Sequence, residues 1–109
     1  MPPEYTTRYV YFAHDGHPLE RVKIGMSVSP TGRLKELRCT LLFAIPCTYQ
    51  FAHVLERTLH QELADVRLPD RRTQGGTEWF RVDDRLSTLI RYVRSTNRWP
   101  FDGTKVVVS

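Results

Sequence analysis

Tyr11, Lys23 and Arg33 are the residues whose types and spacing could do chemistry together. Tyr9-Val10-Tyr11-Phe12 and Val22-Lys23-Ile24-Gly25 are short apolar runs separated by His14-Asp15-Gly16-His17-Pro18, so they read as paired strands joined by a turn. The second run stops at Gly25, and a helix with Arg33 in its first turn begins a few residues later. A phenol, an ammonium and a guanidinium are thereby set to converge. Hydrolysing a phosphodiester needs an activated water, neutralised charge on the phosphate and a stabilised leaving oxygen. The trio is raw material for that reaction.

The elements that must position these groups follow from periodicity. Met1 to Thr7 reads as a flexible leader, and Arg8 to Ala13 as a strand with Tyr9 and Tyr11 on one face. Arg21 to Met26 is the second strand. Ser29-Pro30 supplies an N-cap and a proline at the first helical position. That helix is expected to reach about Leu41, burying Leu34, Leu37 and Leu41. Phe43 to Phe51 is apolar and β-rich but contains Pro46, which predicts an edge strand. From about Ala52 to Val66 the sequence predicts a second helix, with Leu55, Leu59, Leu63 and Val66 as its buried stripe. At roughly 100° per residue, Glu56, His60 and Arg67 fall on one flank of that stripe.

Leu68 to Thr77, with Pro69, Arg71, Arg72 and Gly75-Gly76, reads as a loop. Glu78 to Val82 is a short strand. Asp83 or Asp84 caps a last helix that buries Leu86, Leu89, Ile90 and Val93 and carries Arg85, Arg91 and Arg94 on its other side. Residues 97–109 form a tail in which Val106-Val107-Val108 either adds a strand or stays loose.

At 109 residues, one domain over residues 8–96 is expected. The formal net charge is +4 and the pI about 9.4. Thirteen of the sixteen cations are arginine, which favours bidentate phosphate contacts, although an arginine-rich host composition would give the same count. Cys39 and Cys47 match no zinc or redox spacing and read as reduced thiols of a cytoplasmic protein. No apolar run approaches a membrane span, and no membrane partner is expected.

Taken together, these residues resemble the GIY-YIG nuclease superfamily. Tyr9-Val10-Tyr11 stands at its first motif, Lys23-Ile24-Gly25 at its second, and Arg33 at its helical arginine. Leu55-Glu56-Arg57-Thr58-Leu59-His60 looks like the helix bearing the metal-binding glutamate. The Lys-Ile-Gly variant, Glu56 with His60, and the late Gly76-Thr77-Glu78-Trp79-Phe80 resemble a branch of small phage and bacterial domains. The likeness covers residues 8 to 95. Three features depart from the pattern: Tyr9 replaces a glycine, Lys23 replaces a tyrosine, and the late asparagine has no obvious counterpart.

The resemblance implies an α/β (α+β) fold, a small, largely antiparallel sheet flanked by about three helices. It implies a divalent-metal-dependent DNA endonuclease of low sequence specificity. Tyr11 would activate or position the attacking water. An ordinary tyrosine, with pKa near ~10, is ionised in only about one molecule in a thousand at pH 7, so Lys23 is the cation that would assist it. Arg33 would grip the phosphate, and Glu56 would hold one Mg²⁺ or Mn²⁺. His60 would orient the nucleophile, bind phosphate or bond the carboxylate. Arg67, Arg71 and Arg72 would track a nucleic-acid backbone.

Plainer readings stand beside these. Tyr11 could be an ordinary strand tyrosine, and Arg33 and Lys23 could merely cover apolar surface. Glu78 is either a supporting partner for Arg33 or a structural ion pair. His14 and His17 are two ligands without a site. Two other functions fit the same fold: a nucleic-acid-binding module without catalysis, and a protein–protein adaptor. A homodimer or a recruiting protein would supply the specificity that a chain this short lacks.

Overall fold

A computed structural model describes residues 6–69 and 79–109. Arg71, Arg72, Glu78 and Gly75-Gly76 lie outside those residues. The elements run β1 (Arg8–His14), β2 (Arg21–Ser27), α1 (Pro30–Leu37), β3 (Thr40–Cys47), α2 (Tyr49–Glu62), a 3-10 turn (Ala64–Val66), β4 (Arg67–Leu68), β5 (Trp79–Arg81), α3 (Asp84–Thr96) and β6 (Val107–Val108). Among the described residues the six strands form one antiparallel sheet in the order β4-β5-β2-β1-β3-β6. The fold is the α+β class expected.

Alternation along the central strands sorts the side chains into two layers. Val10, Phe12, Val22, Ile24, Phe43 and Ile45 point to the main core, which α2 and α3 close with Leu59, Leu63, Leu86, Ile90 and Val93. Phe12 stacks on Phe43 with ring centroids 4.5 Å apart. Buried Trp99 seals this core from the C-terminal segment. Tyr11, Ala13 and Ala44 point to the other face, where α1 lays Leu34 over them. One helix covers one face and two cover the other.

Several boundaries differ from the sequence expectation, each for a local reason. Arg38 takes the left-handed conformation (φ 57°) and ends α1 at Leu37. The Cys39 N–H closes the turn onto the Leu34 carbonyl. Leu41 therefore belongs to β3, opposite Ala13. The three- and four-residue steps from Leu34 to Leu37 to Leu41 fitted a helix only by coincidence.

β3 starts at Thr40 and is flanked on its outer side by β6, which pairs with Phe43 and Ala44. Pro46 lies beyond that pairing, where its missing N–H costs nothing. Thr48 caps α2 three residues ahead of the expected start, its side chain accepting from the Phe51 N–H at 3.3 Å. The helix ends at Glu62, and the 3-10 turn keeps Val66 buried while turning the chain into β4. Arg67 thus leaves the helical flank predicted for it and stands on a strand. The tail is anchored: besides β6, the Trp99 N–H donates to the Thr104 carbonyl at 2.8 Å. None of the described helices is long and apolar enough to cross a membrane.

Candidate active site

Tyr11 and Lys23 lie on the sheet face covered by α1. In the register, Tyr11 stands opposite Gly25 and Ala13 opposite Lys23. Directly opposed residues share a face, so Lys23 is the diagonal neighbour of Tyr11 across the strand pair. Both side chains are 2 % exposed. Their surroundings are small: Gly25 opposite the tyrosine on one side, Ala44 opposite it on the other. A large residue at either position would take the volume the phenol uses.

The lysine is held from its other flank. Trp79 stands opposite it on β5, and the ammonium lies 5.7 Å from the indole ring centroid. The Arg21 guanidinium, two residues along β2, lies 4.2 Å from the same ring. Arg21 also bonds the Asp15 carboxylate through Nε at 3.4 Å and closely through Nη2, which holds the Asp15 carboxyl below its usual range. Sequence reading gave Arg21 no role. The period-two placement of Arg21 and Lys23 on one strand was the available signal.

α1 brings Arg33 to this same side. Its neighbour Leu34 is the buried anchor of the helix, while Arg33 is exposed and 3.7 Å from Glu36. An ion pair at that distance and exposure constrains little. The guanidinium is available to an anion approaching the face.

Glu56 and His60 arrive from the opposite layer, on α2. The His60 Nε2 lies 3.0 Å from the Ile24 carbonyl oxygen. A carbonyl can only accept, so Nε2 carries the proton. The ring also sits 5.1 Å from Phe80. Among the described residues β5 pairs β2 only as far as Lys23, so His60 takes the next stretch of the strand.

That carbonyl belongs to the peptide joining Ile24 to Gly25, and Gly25 faces Tyr11. The two layers therefore meet at one peptide of β2, with Tyr11 on one side and His60 on the other. Glu56, half-buried, lies one turn before His60 on the same helix. Arg67 is exposed on β4, opposite Phe80.

Arg85 is engaged by Asp65 (Nη2 to its two carboxylate oxygens, 2.9 and 2.8 Å) and by Asp83 (Nε to Oδ2, 2.9 Å), so its charge is compensated within the fold. Its hydrogen bond is the main reason the Asp65 carboxyl is held low. His14 and His17 pack ring to ring at 4.7 Å, and the Gly16 N–H donates to the His14 Nδ1 at 3.2 Å. No group of three or more His, Cys, Asp or Glu positioned for a metal occurs among the described residues. Both cysteines are free thiols, and burial pushes the Cys47 thiol up to about 11.

Residues 8–99 match the family model described as the T5orf172 domain. No curated protein and no solved structure matches the chain.

Proposed function

The chain belongs to the T5orf172 domain family, and on that premise we propose that it is a divalent-metal-dependent DNA endonuclease of the GIY-YIG kind, with low intrinsic sequence specificity. One observation carries this reading. A buried ammonium, Lys23, lies diagonally beside a buried phenol, Tyr11, under the helix that presents Arg33. A cation close to a phenol favours its ionised form, or its use as a strong hydrogen-bond partner for water. A lysine kept only to solvate a surface would not be 2 % exposed.

In this mechanism Lys23 favours the phenolate of Tyr11, which becomes neutral on taking the proton of the attacking water, or Tyr11 as a neutral phenol orients that water by hydrogen bonding. Arg33 binds the non-bridging oxygens of the phosphate, where charge is redistributed in the transition state. The water oxygen bonds to phosphorus as the bond from phosphorus to the 3′ oxygen breaks. The products are a 5′-phosphate and a 3′-hydroxyl.

Glu56 supplies one hard oxygen ligand, which fits an ion that keeps most of its waters. Bound there, Mg²⁺ or Mn²⁺ would neutralise phosphate charge and ease departure of the 3′ oxygen. His60 is a positioning residue, because its bond to Ile24 fixes α2, and with it Glu56, against the strand that faces Tyr11.

Nicking of supercoiled plasmid with Mg²⁺ or Mn²⁺ tests this, comparing wild type with Glu56→Ala and Tyr11→Phe. The expected result is nicking by wild type and loss of at least about a hundredfold in each variant, with folding intact by circular dichroism. No nicking with either metal would favour a second reading, a nucleic-acid-binding module without catalysis. The departures at Tyr9 and Lys23 from the first two motifs of the GIY-YIG pattern are what recommend it.

A further inference from the structure

On the face opposite Tyr11, α2 and α3 leave a hollow of about 670 Å³ between them. Leu59, Leu86 and Trp99 form its floor, and Phe51, Val54 and Leu89 its walls. Phe101 also lines it. Three of these side chains are left largely in water: Phe51 is 43 % exposed, Val54 47 % and Phe101 78 %. Scattered exposed apolar residues need no explanation, but a concave cluster with a charged rim marks a binding surface.

The rim has a definite sign. Glu62 and Asp102 line the hollow, and Arg85, which also lines it, is already claimed by Asp65 and Asp83. With Arg85 neutralised by those two partners, the two lining carboxylates leave this rim negative on a chain whose formal net charge is +4. A nucleic-acid backbone would be repelled here. A second copy docking by two-fold symmetry would set one acidic rim against the other.

The shape selects further. α2 is 14 residues long, so it offers a wall of roughly 20 Å, enough for several turns of a helix laid alongside it. We infer that the hollow is a docking groove for an amphipathic helix of a partner protein, apolar along one face and rich in lysine or arginine along its flanks. Such a helix would insert anchors at i, i+3 or i+4, and i+7 between α2 and α3. Its cations would meet Glu62 and Asp102. Arg33, exposed on the other side of the sheet, would stay uncovered, and the inference holds whether or not the chain cuts DNA.

The test uses the full chain and two synthetic helical peptides with the same leucine anchors, one with lysines on its flanks and one with glutamates. The lysine peptide should move amide NMR signals of α2 and α3, and should bind about tenfold tighter than the glutamate peptide. Val54→Arg, on an exposed position, should abolish binding with the fold intact. The double change Glu62→Lys with Asp102→Lys should reverse the preference. Equal binding of both peptides, no binding of the lysine peptide, or shifts mapping elsewhere would each overturn the inference. So would sedimentation showing that the groove is filled by a second copy, with dimers lost in Val54→Arg.

Discussion

Lys23 carries a charge where charges are costly. Removing an ammonium from water carries a desolvation penalty that partners only partly offset, and a methionine of similar length would carry none. Lys23→Met removes that charge while keeping most of the length of the side chain. If the lysine assists Tyr11, plasmid nicking should fall by about a hundredfold in the same protein. Retained nicking would remove Lys23 from the chemistry and leave it a structural residue beside Trp79. The sequence made Tyr11 and Lys23 legible because strand alternation fixes faces. It left Arg21 unread, since a cation stacked on an indole depends on β5 lying beside β2, a pairing between distant segments.

Helix starts were more legible than helix ends. Asp83 was one of two candidate caps for α3, and it is the one that acts, its carboxylate accepting from the Leu86 N–H at 3.0 Å. Caps are read from a single residue type, whereas α1 ended through a left-handed arginine that composition does not announce. α2 lost its predicted end because burial of Val66 could be met by a tighter turn as well as by continued helix.

The cap makes a pH prediction with a definite sign. The Leu86 N–H first, and then Arg85, hold the Asp83 carboxyl below its ordinary value. Its contribution to stability is thus complete above the unfolded value near ~3.9 and is lost as pH falls through the lower folded value. Asp83→Ala should cost about 1 kcal/mol at neutral pH, roughly 5 °C in melting temperature. The gap from wild type should close at acid pH. A gap that did not narrow as pH fell below the ordinary carboxylate range would assign the loss to packing rather than to the cap.

At the scale of the molecule, the sheet separates two surfaces of different character. Arg33 stands on α1, on the face with Tyr11 and Lys23, while the groove with its acidic rim lies between α2 and α3. Net charge alone did not reveal this division, because it sums both sides. The arginines accordingly differ in what they can do. Arg33 has one weak, exposed neighbour, whereas Arg85 is bound by two carboxylates.

If DNA approaches over α1, binding should be salt-dependent, with log affinity falling linearly against log salt by about 0.9 per phosphate neutralised. Measured with Glu56→Ala as the uncleaving background and EDTA present, Arg33→Ala should flatten that slope by about one phosphate equivalent. Arg85→Ala should leave it unchanged, because its charge is already compensated within the fold. Equal flattening by both variants would mean that DNA is met by diffuse basicity rather than by the face that holds Tyr11.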